Sequence, residues 1–198
     1  GSGYAVAVLD TGIQASHPVF GSPRIVSEAC YSNEDNNTIH TLCPNGSTSQ
    51  TGPGSADANS PNCLDSSGLN GTLCWHGSHV AGIAAANNAA YIGVAPAADL
   101  IPIQVFYRRD NCTTSGGPCL YADSADIITA LERVYILRNS FNIASVNLSL
   151  GGGSYTTECD AQQPGMFNAV NSLVNAGIAV VVASGNGTST TIIGAPAC

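Results

Sequence analysis

The chain has no lysine. Its five cations are all arginines (Arg24, Arg108, Arg109, Arg133 and Arg138), set against 13 acids for a net charge of −8. Nucleic acid and anionic membrane surfaces are both recognised by clustered cations, so neither is an expected partner. Long apolar runs are also missing. Nothing approaches the roughly 20 consecutive apolar residues of a membrane span. Residue 1 stands directly before a strand-like run with no signal peptide ahead of it, so the chain reads as mature or processed. Charged residues make up only 9% while 44% are hydrophobic. At 198 residues that balance buries one substantial core, and a single domain, most simply a monomer, is expected.

What the chain does have is cysteine: Cys30, Cys43, Cys63, Cys74, Cys112, Cys119, Cys159 and Cys198. None shows the C-x-x-C spacing of a zinc site, and most lie in loops rich in Ser, Asn, Thr and Gly. This pattern favours disulfides and an oxidising compartment, so a secreted, extracellular or periplasmic protein is expected. The glycosylation sequons at Asn36, Asn45, Asn70, Asn111, Asn147 and Asn186 do not decide the matter, because such triplets arise by chance in Asn- and Thr-rich loops. Chain proximity favours Cys112–Cys119, Cys30–Cys43 and Cys63–Cys74, with Cys43–Cys63 as the competing local pairing.

Four short apolar runs read as strands, at residues 4–10, 98–106, 143–150 and 178–184. Helices are expected between them. The first covers 76–88 and is made of small residues. The second carries Ile127, Leu131, Val134 and Tyr135 at helical spacing, with Ser124 as its cap. The third runs from Pro164 to Gly177, with Phe167, Val170 and Val174 as its apolar stripe. Residues 27–74 form a polar stretch that reads as a disulfide-pinned insertion. Strands alternating with helices predict an α/β fold with a parallel sheet, helices on both faces and functional groups beyond the carboxyl ends of the strands. Asp10 ends the first strand, His76 opens a helix, and Asn186 follows the fourth strand. An acid, an imidazole and a carboxamide are most of an acyl-transfer site: a base, the carboxylate that orients it and an oxyanion donor.

In that order, "AVAVLDTGIQASHP", "HGSHVAG", "IGVAPAADL", "VNLSLGG" and "VVVASGN" resemble the consecutive motifs of the subtilisin-like serine peptidases. The resemblance implies a three-layer fold and a secreted endopeptidase with a polypeptide substrate. A propeptide or protein inhibitor would be a further partner. It implies that Asp10 is the triad acid, His76 the base and Asn186 the side-chain oxyanion donor. Ser149, Leu150 and Gly151 would form the strand edge that pairs with substrate, and Ala183, Ser184 and Gly185 the facing wall of the pocket. The family's architecture supports Cys159–Cys198 as the remaining disulfide, because the loops after the two motifs edge the same pocket. With small Gly194 near the floor of that pocket and no acid at the wall positions, an apolar or aromatic residue before the scissile bond is expected.

The departures from the family pattern carry expectations of their own. The family's nucleophile lies in a Gly-Thr-Ser-x-Ala-x-Pro segment downstream of the oxyanion Asn, and no such segment occurs by Cys198. Ser189 in "NGTST" lacks the small-x-Pro and the helix that should follow, and reads as a decoy. The 198 residues are therefore expected to be the amino-terminal part of a catalytic domain, inactive alone. No cofactor is expected. The loop "AAANNAAYIG" is shorter than the family's calcium loop, which leaves a structural calcium as an open question only. Two other classes compete. One is a subtilase fold that binds peptide without cleaving it. The other is a zinc hydrolase built on Asp10, His76 and His79, which H-x-x-H without the Glu of H-E-x-x-H disfavours. His79 itself is expected to be packed and hydrogen-bonded, and His17 and His40 to be structural or exposed.

Overall fold

Strand β1 (Ala5–Asp10) is apolar on both faces and lies in the middle of a six-stranded sheet. The computed structural model describes residues 1–21, 23–64, 73–114 and 116–198; the Asn70 sequon and part of the polar stretch lie outside them. In chain order the strands after β1 are β2 (Ala29–Tyr31), β3 (Ile39–Thr41), β4 (Ser49–Thr51), β5 (Asp99–Gln104), β6 (Tyr107–Arg109), β7 (Cys119–Tyr121), β8 (Ile143–Leu148), β9 (Gly152–Tyr155), β10 (Ala179–Val182) and β11 (Ile193–Ala195). Among the described residues three α-helices accompany them: α1 (Trp75–Ala85), α2 (Ser124–Leu137) and α3 (Pro164–Asn175).

The large sheet runs β10-β8-β1-β5-β2-β4, parallel except for the β2–β4 edge pair. The alternation of β1 decides the layers. Ala5, Ala7 and Leu9 face α2 and α3 in a core with Ile101, Leu131, Val134 and Leu173. Val8 faces α1 with Leu100, Ile13 and Phe20. Helix α1 lies close to the sheet because Gly77, Ala81 and Ala85 form its inner face. The result is the three-layer α/β architecture expected from the sequence.

Four details differ from that expectation. First, the polar stretch is not wholly an insertion. Ala29 and Cys30 are fully buried, and β2 pairs in parallel with β5 while β4 pairs with β2. Three-residue strands have no readable periodicity, so long-range pairing makes them. Second, α1 stops at Ala85. Asn87 donates from its backbone to Val19 O, and Asn88 Oδ1 accepts from the amides of Ala90 and Tyr91, which turns the chain away. Third, the stripe of α3 is rotated by one residue. Met166, Ala169 and Leu173 are buried, whereas Phe167 and Val174 are exposed. Fourth, the residue at the N-cap of α2 is Asp123, not Ser124, and its carboxylate is taken by Asn33 Nδ2 rather than by the helix.

The eight cysteines lie in four pairs at disulfide distance. Cα–Cα separations are 5.5 Å for Cys30–Cys43, 5.4 Å for Cys63–Cys74, 6.0 Å for Cys112–Cys119 and 5.3 Å for Cys159–Cys198. Among the described residues no helix is long and apolar enough to cross a membrane.

Candidate functional site

In sheets of this kind ligands sit beyond the carboxyl ends of the strands, where successive connections leave in opposite directions. That place here is the end of β1, flanked by β5 and β8. Asp10 closes β1 and its side chain is 1% exposed. His76, in the first turn of α1, presents Nδ1 at 2.8 Å and 3.0 Å from the two carboxylate oxygens of Asp10. A carboxylate accepts, so Nδ1 carries the proton and Nε2 is left free to act as a base. The imidazole is 42% exposed. Its ring therefore joins a buried acid to an open cleft.

Burial pushes the Asp10 carboxyl above its ordinary value. The hydrogen bond from His76, the Thr11 backbone amide at 2.7 Å and the charge of His76 act in the opposite direction. The segment around Asp10 is held from several sides. Helix α1 has no side-chain cap of its own. Instead Thr11 Oγ1 accepts from the Gly77 amide at 2.9 Å and donates to Cys74 O at 3.0 Å, locking the strand end to the helix start. Gln104 Nε2 donates to Thr11 O at 2.7 Å. A Cβ on Gly77 would lie 2.1 Å from Gly12 O and 3.1 Å from Asp10 Oδ1, so only glycine permits the approach of His76. Sequence reading missed Thr11 and Gln104; an uncapped helix start beside a Thr that follows the acid was the available signal.

Next to β1, strands β8 and β10 stay paired as far as the Ala183 N to Leu148 O hydrogen bond at 3.0 Å. Beyond that point they diverge. Ser149, Leu150 and Gly151 continue one wall, and Ala183, Ser184 and Gly185 the other. Gly185 has φ +99°, which suits glycine. A cleft of about 820 Å³ contains His76, Ser149, Leu150, Gly151 and Asn186. A second cavity of about 730 Å³ lies between Gly151 and the 183–185 wall and also includes Asn186. Its far side is the β9–β11 pair, where a Cβ on Gly194 would press on Gly152 O at 3.0 Å. The acid, base and carboxamide named from the sequence thus meet along one edge. Glu158, from the loop after β9, also contributes to the second cavity, whereas the sequence reading had put no acid there.

The other candidates are not brought into this group. Ser189 Oγ accepts from the amides of Thr191 and Ile192, and Ser189 lines the second cavity without joining the His76 cleft. His79 is exposed, not packed as expected, because its ring lies edge-on to Trp75, itself on the surface. Among the described residues no three His, Cys, Asp or Glu converge as metal ligands. His17 is exposed and lies edge-on to Phe20. His40 is half-buried between Asp110 and Glu34 on the small β3–β6–β7 sheet. The 86–93 loop contains no acid, and its polar groups are used internally: Asn88 Oδ1 takes two amides and Ala86 O accepts from Gly93. Such a loop does not fit calcium.

Comparison with known proteins gives a consistent assignment. The model of the subtilase family matches residues 1–198. An extracellular protease of Xanthomonas campestris pv. campestris is 28% identical across 96% of this chain and 30% of its own length. A thermostable alkaline protease of Halalkalibacterium halodurans is 32% identical across 94% of this chain and 36% of its own. Among solved structures, the S41 psychrophilic protease superposes with a TM-score of 0.63 at 25% identity, covering 98% of this chain and 50% of that one. The chain thus spans about a third of the length of these curated relatives.

Proposed function

Because the chain belongs to the subtilase family, we propose that it is the amino-terminal part of the catalytic domain of a secreted serine endopeptidase. The observation that carries this reading is the pairing of His76 Nδ1 with the buried Asp10 carboxylate, beside a cleft shared with Asn186. In the proposed reaction His76 Nε2 takes the proton of an attacking serine hydroxyl and returns it to the leaving amine. Asp10 holds the imidazole in the right tautomer and stabilises its charged form. The Asn186 side chain donates to the oxyanion of the tetrahedral intermediate. Substrate backbone adds to the Ser149–Gly151 edge as an extra strand. The same edge would receive a propeptide or protein inhibitor.

The attacking serine is assigned to a segment outside residues 1–198, because Ser189 is committed to its own turn. A feature of the sheet supports further chain in the domain. A parallel strand is normally covered on both faces. On β10, however, Val180 and Val182 pack on the α2–α3 side while Ala179 and Val181 are exposed on the other, beyond the reach of α1. Secretion rests on the cysteine pairs and on relatives named as extracellular. The test is a peptidase assay on the complete gene product and on the 198-residue chain. Cleavage by the complete product that His76→Ala removes, with none by the shorter chain, is the expected result. No cleavage by the complete product, or cleavage indifferent to His76→Ala, contradicts the reading.

A further inference from the structure

The cavity between Gly151 and the 183–185 wall is lined mainly by glycine, alanine, serine and threonine, and Glu158 is the one carboxylate side chain among its residues. The five arginines are all elsewhere, and with no lysine the chain offers this acid no cation. Among the described residues Glu158 forms no ion pair, and its backbone carbonyl accepts from Thr157 Oγ1. The residue is held in place. Its neighbour Cys159 is paired with Cys198, the Cys159 amide donates to Cys198 O at 3.2 Å, and Cys159 O accepts from the amides of Gln162 and Gln163.

We propose that Glu158 makes this pocket selective for a basic side chain, lysine or arginine, in the residue before the scissile bond. The inference deepens the endopeptidase reading and rests on it, since in that reading the 183–185 wall, which lines this cavity, faces the residue before the scissile bond. It replaces the apolar preference expected from the sequence. The chemistry is direct. A long basic side chain lays its methylenes along Gly151, Ala183 and Gly194 while its charged end meets the acid at the wall. An unpaired carboxylate gains a partner when such a side chain enters, whereas an acidic side chain meets repulsion.

The experiment measures binding of acetyl-Ala-Ala-Ala-X amides, with X as Lys, Arg, norleucine or Glu, to the complete gene product carrying His76→Ala, which binds without turnover, by calorimetry at low and high salt. Glu158→Gln is expected to weaken the Lys and Arg peptides about fivefold, the upper range of a partly exposed ion pair, and to leave norleucine unchanged. The difference should shrink in high salt. Glu158→Lys should turn the preference toward the Glu peptide. Three results overturn the proposal: Lys and Arg binding indifferent to Glu158→Gln, an equal loss for norleucine (a purely structural role), or no binding of any peptide. Failure of the endopeptidase reading looks different: charge-selective binding persists while the complete gene product hydrolyses nothing.

Discussion

The two sides of the cleft are built by different means. On the acid–base side Asp10 and Gln104 are almost fully buried, and Thr11, Gly77 and Cys74 tie a strand end to a helix start through hydrogen bonds between residues more than 60 positions apart. On the pocket side the residues from Ala183 to Thr191 are exposed, and position is fixed by the β9–β11 pair and the Cys159–Cys198 link. The proposed proton transfer depends on a fixed heavy-atom distance, which the interlocked first side supplies. Substrate preference can be set by a loop on a rigid frame, and the second side leaves room for residues such as Glu158.

The largest expected effect lies on the interlocked side. In the complete gene product, His76→Ala or Asp10→Asn should lower kcat by about 10⁴- to 10⁶-fold. The stability consequence of Asp10→Asn has the opposite sign to its catalytic one. A carboxyl raised by burial favours the fold while protonated, and that contribution is lost as pH rises through the folded value. At neutral pH the ionised acid is therefore a burden, and thermal melting should show no loss of stability in Asp10→Asn. A marked drop would mean that Asp10 is chiefly structural.

Next comes a pair of glycines. Gly77→Ala forces a Cβ against Gly12 O and should destabilise the chain by about 3 kcal/mol in urea titration. Gly152→Ala, on the pocket side, meets nothing within 4 Å and should change stability by less than about 0.5 kcal/mol. Equal effects would erase the contrast between the two sides. Replacing Cys159 and Cys198 together by serine should lose about 2 kcal/mol and raise KM more than it lowers kcat; an effect mainly on kcat would place the link in the catalytic side.

A smaller effect than that of Gly77→Ala or of the disulfide lies away from both sides. The Asp126 carboxyl is pushed up to about 6, by burial first and then by the charge of Asp123, and its Oδ2 has no partner among the described residues. Its folded value is raised, so its favourable contribution is complete below the ordinary carboxylate range and lost as pH rises through about 6. Asp126→Asn should stabilise the chain at pH 8 by about 1 kcal/mol, a figure reduced for its half-open setting, and by nothing at pH 3. Equal stabilisation at both values would refute the titration.

Much of this architecture could be read from the sequence where the signal is local. The apolar run of β1, the small-residue face of α1 and the Val-rich β10 each announce themselves within a few residues. Asp10, His76 and Asn186 were legible because strand ends and helix starts in an alternating pattern must share an edge. Signals that depend on distant pairing were not legible. Strand β2 exists because β5 offers it a parallel edge, not because "ACY" prefers to be extended. The α3 stripe was ambiguous between two rotations, and packing against α2 and β10 chose the one through Leu173. Glu158 was not legible as a pocket residue, because the β9–β11 pairing that sets its loop beside Gly194 joins short, glycine-containing strands with no readable periodicity.

The central claim is that His76 and Asp10 activate a serine lying outside residues 1–198. Labelling the complete gene product with a fluorophosphonate and mapping the adduct by mass spectrometry tests it most directly. The account predicts a single modified serine beyond Cys198, with labelling abolished in His76→Ala. An adduct at Ser189 or any other serine of the 198, labelling that survives His76→Ala, or no adduct at all would contradict it.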